Sequence, residues 1–182
     1  GNRVNAGFLV GQQYDLITDA PLKDRNGNAL SFTRNVATNL QEINPATLEI
    51  TGIRVLKYTP DMANGDNPDN EFVFFRYADV LLMKAEAQMR SGNNSGALTI
   101  VNNLRSVRGA SNLTSLTEAA LLDERGRELY WEGWRRNDQI RFGTFLSANQ
   151  YKNSVSPDKS ILFTIPNNDL AANPNLTQNP GY

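Results

Sequence analysis

The 182-residue chain contains no cysteine and no histidine. Without cysteine there is no disulfide, no thiolate nucleophile and no thiolate metal site. Without histidine the commonest general base and metal ligand are missing, and a Ser-His-Asp arrangement is impossible. No apolar run reaches the about eighteen residues that a membrane-crossing helix needs. Glycine-rich phosphate loops of the G-x-x-x-x-G-K-[ST] and G-x-G-x-x-G kinds are absent. Charge of one sign is lacking as well: 18 Lys and Arg balance 19 Asp and Glu, giving a formal net charge of −1 with no basic run. Nucleic acid is therefore not an expected partner, because phosphate binding needs clustered cations.

What is present is enough for a core. Hydrophobic residues make up 40% of the chain, yet mean hydropathy is −0.48, with 13 glycines, 8 prolines and many asparagines. This describes a globular chain with long polar loops, of a length that suits one domain with a smaller lobe. The patterning predicts a mainly α (α+β) protein. Residues 1–74 read as a loop-rich segment with short strands, a candidate ligand-binding lobe. Residues 75–182 read as a helical region with an extended tail.

The densest stretch runs from Thr117 to Gly143. Glu124, Glu128 and Glu132 recur every four residues and form an acidic stripe if the segment is one helix. Arg125, Arg127, Arg135, Arg136 and Arg141 surround it, and Leu121, Leu122, Leu129, Tyr130, Trp131 and Trp134 supply apolar surface. Ser115 or Thr117 caps its start, the helix runs to about Trp131, and a break at Gly133 leads to a short helix ending at Arg141. Carboxylates across a cleft would suit glycoside hydrolysis. Here they share one stripe with arginines, and such pairing lowers a carboxyl pKa, the wrong direction for a general acid. The expected role of Arg127, Glu128, Glu132, Arg135, Asp138 and Arg141 is a structural charge network that ties this helix to the preceding helices and to the tail.

Elsewhere, Gly7 to Gly11 and Leu30 to Thr33 read as short strands, with a hairpin turn at Asn26-Gly27. Ile50 to Thr59 alternates as a strand. The 60–70 loop carries carboxylates and amides, so oxygen ligation of calcium is conceivable there, but its spacing is not that of an EF-hand and nothing else supports a metal. Phe72 to Phe75 reads as a buried strand or an extended lead-in. Two amphipathic helices follow, about Arg76–Arg90 and Ser95–Val107, stopped at Gly92 and Gly109. Together they have the length of one tetratricopeptide-like unit, which needs neighbours to bury its apolar faces. Ile161 to Ile165 reads as a strand, and the Asn- and Pro-rich tail as extended.

Arg127-Glu128-Leu129, Glu132-Gly133, Arg135, Asp138 and Ile140-Arg141-Phe142-Gly143 together resemble the C-terminal signature of the SusD/RagB family. The block from Arg76 to Ala87 and the ending from Phe163 to Tyr182 fit the same family in the same order. The first seventy or so residues carry no family block. Within the signature, Gly126 stands where a helix former is usual, Arg136 and Asn137 where aromatics are common, and Gln139 where an aliphatic is common. The resemblance implies the C-terminal part of an outward-facing, lipid-anchored outer-membrane protein. Such a protein binds oligosaccharides without catalysis or cofactor and serves a TonB-dependent, SusC-like transporter. The start at Gly1-Asn2-Arg3 reads as that of a piece whose anchor and upstream helices lie elsewhere, so an apolar patch is expected where those helices dock. The resemblance further directs attention to loop aromatics as sugar contacts: Tyr14, Phe32, Tyr58, Phe8 and Tyr151, with Gln12 and Gln13 beside the first. Trp131 is expected in the core; Trp134, at a variable position, is left open between core and surface. The alternative is a protein-interaction module built on the tetratricopeptide-like helices, with no sugar site in this stretch.

Overall fold

The computed structural model describes residues 7–35, 48–58, 61, 64, 67–149 and 152–182. They fall into two compact units, Gly1–Phe72 and Val73–Tyr182.

The first unit is built from short antiparallel pairings. Strand β1 (Gly7–Leu9) pairs with β4 (Arg54–Leu56), and β2 (Gly11–Gln12) pairs with β3 (Ser31–Phe32). The turn at Asn26-Gly27 is held by the Asp24 carboxylate, which accepts from the Asn26 and Asn28 amides, and a bridge between Lys23 and Ala29 closes it. Leu22 joins this hairpin to the β2 edge: its amide donates to the Gln13 carbonyl and its own carbonyl accepts from Leu30. The strand expected from Ile50 to Thr59 is shorter, only Arg54–Leu56, because residues 49–52 are spent in a turn against Thr33.

The second unit is helical. Helices α1 (Tyr77–Arg90) and α2 (Asn94–Val107) form an antiparallel pair. The link is tight: Gly92 takes φ +88°, the left-handed conformation that ends α1, and the Asn93 side chain accepts from the Gly96 amide to start α2. Thr117 caps α3 (Glu118–Glu128) by accepting from the Ala120 amide, and α4 (Arg135–Arg141) follows. Ala78, Leu82 and Ala85 of α1 meet Ala97, Val101 and Leu104 of α2, with Leu121 and Leu129 closing the cluster. The alanines let α1 and α2 approach closely, so this core is small in volume.

A charged group completes it. Arg125, 1% exposed, donates from Nη2 to Asp79 Oδ1 at 3.0 Å and from Nε to Asp138 Oδ1 at 2.8 Å. One guanidinium thus fastens α1, α3 and α4 together, and both carboxylates are as buried as the arginine.

Several expectations fail for reasons that lie outside the local sequence. Helix α3 ends at Glu128, not near Trp131, so Glu132 lies beyond the helix and the acidic stripe is broken. Trp131 is not in the core: it sits in the turn after α3 at φ +66° and is 68% exposed. Trp134, by contrast, is half-buried and packs on the core, with its ring 5.7 Å from that of Phe75. Of the two readings of Phe72 to Phe75, the extended lead-in is the one found: no strand forms there, and Phe74 and Phe75 are exposed. Asp158–Ile161 is a 3-10 turn, no strand forms over the expected Ile161 to Ile165, and the tail contains α5 (Asn167–Ala172). The tail is held by side chains: Gln178 accepts from the Ile165 amide and donates to its carbonyl, and the Tyr182 hydroxyl donates to the Lys159 and Leu162 carbonyls.

Two measurements follow from this packing. Arg125→Met leaves Asp79 buried without its cation and is expected to lower unfolding free energy by about 3–5 kcal/mol, read as a shift in the urea midpoint; an unchanged midpoint would remove Arg125 as the fastening. Tyr77, Val80 and Met83 lie exposed along α1, so the folded chain is expected to enhance the fluorescence of a hydrophobic dye, and Val80→Lys to reduce it. No enhancement would show that the strip is covered.

Candidate functional site

The short strands of the first unit surround a cleft of about 680 Å³. Phe8, Tyr14 and Phe32 line it together with Gln12, Gln13, Arg34 and a set of leucines. The pairing explains the convergence. Phe8 is on β1 and Phe32 on β3, while Tyr14 follows β2 and bridges to Pro21. Phe8 remains 61% exposed, whereas Tyr14 and Phe32 are half-buried. Arg54 stacks its guanidinium over Phe32 at 5.0 Å and so backs that ring from one face.

The polar side chains of the cleft are preset. Gln12 donates from Nε2 to the Gln13 and Leu22 carbonyls at 2.7 and 2.8 Å, and Gln13 donates to the Gly11 carbonyl at 2.8 Å. Tying down the nitrogens fixes each amide plane and leaves its oxygen as the available acceptor. Of the remaining candidate aromatics, Tyr58 is exposed and does not line the cleft, and Tyr151 lies outside the described residues. Arg34 was not singled out from the sequence. The available signal was its position two residues after Phe32, the spacing that returns a side chain to the same face of an extended strand.

The charged residues of the signature form linked clusters in the second unit. Arg76, just before α1, donates from Nε to both Glu132 oxygens at 2.9 Å, from Nη1 to Glu128 Oε1 at 2.5 Å, and from Nη2 to the Glu128 carbonyl. Arg108, at the end of α2, donates to both oxygens of Glu128. Arg141 makes a two-pronged contact with Glu86 and also donates to Asp138. Arg127 and Arg105 share Glu124. Arg135 does not pair with an acid here: it crosses Gly126 and donates to the Leu122 carbonyl at 2.8 Å. A Cβ at Gly126 would sit 2.9 Å from Nη1 of that guanidinium, so a larger residue there requires the end of the Arg135 side chain to shift. Arg136 makes the link to the tail, donating to the Ser160 and Ile161 carbonyls and stacking 4.1 Å over Phe163. That contact gives a physical reason for arginine at this position.

In the 60–70 loop the Asn64 amide donates to Asp61 and Asp69 at 2.7 and 2.8 Å. Among the described residues no group of three or more metal-binding side chains converges.

Burial alone would raise the Glu86 and Glu128 carboxyls, but the hydrogen bonds and charges of their arginines outweigh it and hold both below the ordinary value of 4.5. A depressed folded pKa contributes stability that is complete above the unfolded value and lost as pH falls through the folded one. Stability is therefore expected to hold down to about pH 4.5 and to decline below it, and Glu128→Gln to flatten that decline while lowering stability at neutral pH. Urea unfolding as a function of pH checks this; an acid limb identical in the variant would count against it.

Comparison with known proteins agrees with this architecture. Residues 25–182 match the SusD family. The starch-binding protein SusD of Bacteroides thetaiotaomicron is 36% identical over 125 residues, which cover 63% of this chain and 22% of that protein. A SusD-like protein of Formosa agariphila is 31% identical over 151 residues, covering 76% of this chain and 30% of its own length. The structure of a surface glycan-binding protein A from Bacteroides uniformis superposes with a TM-score of 0.59 at 26% identity, over 70% of this chain and 32% of that one. The chain thus spans less than a third of the curated relatives it matches. Because the match runs from the Arg25 turn through the arginine–carboxylate clusters to Tyr182, this chain belongs to the SusD family.

Proposed function

We propose that this chain contributes a non-catalytic carbohydrate-binding surface to a protein that captures oligosaccharides outside the outer membrane and delivers them to a TonB-dependent, SusC-like transporter. The observation that carries this reading is the cleft of the first unit, where Phe8, Tyr14 and Phe32 converge beside two amides of fixed orientation. Aromatic faces stack on the apolar faces of sugar rings, and amide oxygens accept from hydroxyls. The names of the starch-binding and surface glycan-binding relatives support the same ligand class. Binding is non-covalent and needs no cofactor, and attachment to the membrane is through a lipid anchor carried elsewhere in the full-length protein.

A second reading, a protein-interaction surface on the helices, draws on a different feature. Phe75 and Tyr77 flank Arg76, Val107 precedes Arg108, and Trp131 precedes Glu132, and all of these apolar side chains are exposed. Ion pairs link Arg76 and Arg108 through Glu128. An apolar rim around a neutralised charge cluster suits a protein partner better than a sugar.

A glycan-array or affinity-gel screen of this chain beside the full-length protein separates the readings. The expected result is binding by both, with Phe8→Ala and Phe32→Ala each weakening it roughly tenfold and Tyr58→Ala leaving it unchanged. Binding by the full-length protein alone would move the site out of the cleft, and binding by neither would favour the protein-interaction surface.

A further inference from the structure

The charge of the cleft is one-sided. Among the described residues, Arg34 is the only ionic side chain that lines it, and none is an aspartate or glutamate. Arg34 is exposed and makes no hydrogen bond or ion pair among the described residues. Close by, the Arg54 guanidinium that covers Phe32 is held by the carbonyl oxygens of Leu48, Glu49, Thr51 and Gly52, not by a carboxylate. Two acids of the same unit are engaged elsewhere. The Asp15 carboxylate accepts from the Ile17 and Thr18 amides and the Thr18 hydroxyl, and Glu49 pairs with Arg25 at 2.9 Å. The cleft therefore combines apolar walls, fixed acceptors and an unneutralised guanidinium. A cation beside low-dielectric walls attracts an anion more strongly than one on an open surface, and a guanidinium matches the two oxygens of a carboxylate or sulfate.

We infer that the cleft takes an oligosaccharide bearing an anionic group, a carboxylate or a sulfate on the sugar. Arg34 receives the charged group, the Phe8, Tyr14 and Phe32 rings lie against the apolar faces, and the Gln12 and Gln13 oxygens accept from hydroxyls. This inference rests on the carbohydrate reading of the cleft and adds the class of sugar. A neutral glucan would leave the guanidinium with nothing but hydroxyls to bind.

The test is calorimetric titration of the 182-residue chain with trigalacturonate, a sulfated carrageenan tetrasaccharide and maltohexaose, on the wild type, Arg34→Gln and Arg34→Lys. The expected result is that at least one anionic oligosaccharide binds about tenfold or more tightly than the neutral one. Arg34→Gln is expected to erase that preference, and Arg34→Lys to retain part of it. The carboxylated and sulfated arms tell which anion is preferred. Equal affinity for maltohexaose, or a preference that survives Arg34→Gln, overturns the inference and leaves the carbohydrate reading standing. Binding of none of the three overturns both.

Discussion

A guanidinium taken out of water needs acceptors, and the second unit is built around one that two buried carboxylates hold through Nε and Nη2, with Nη1 left without a partner. Arg125 reaches Asp79 in α1 and Asp138 in α4 from its own place in α3. The apolar cluster beside it is rich in alanine and small, so it brings helices close without offering many distinct ways to interlock. The buried ions supply what that cluster lacks. A leucine surface tolerates sliding by a fraction of a turn, whereas a guanidinium displaced by that distance loses its acceptors and costs several kcal/mol, on the order of the whole stability of a domain. The registry of α1, α3 and α4 is therefore set by charge, and Arg76, Arg108 and Arg141 extend the same constraint outward to the turn after α3 and to the end of α2.

The helices were legible in the sequence because their signals are local. The Gly92 stop, the Thr117 cap and the break near Gly133 act within a turn or so of where they stand, and α1 and α2 fall within a residue of their expected bounds. The partners of the arginines were not legible. Asp79 and Arg125 are 46 residues apart, and Arg76 and Glu132 are 56 apart, so no window of sequence contains both members. Burial of large aromatics failed for the same reason. Trp131 looks like core by composition, but the early end of α3 and a left-handed backbone turn it outward. Gly126 lies under the Arg135 side chain, a neighbour nine residues on that no local helix rule supplies.

In the first unit the individual aromatics could be picked out, but their assembly could not. Phe8 and Phe32 come together because β1 and β2 are consecutive and each takes a partner from a distant segment. Arg34 joins them in a cleft whose described lining holds no acid. Tyr58 had the same credentials as Phe8 by sequence and stands outside the lining.

The distribution of charge over the helices also bears on the order of folding. The α1–α2 pair is formed by neighbours in sequence and closes quickly, since short loops cost little entropy. At that stage Asp79 and Glu86 of α1 have no arginine from α3 or α4 to meet, and they face water on the side that will later be core. Glu86 still has Arg90 of its own helix, but Asp79 is left to water until α3 brings Arg125. The ion that fixes the final registry is thus the one whose burial must wait for the last helices to dock.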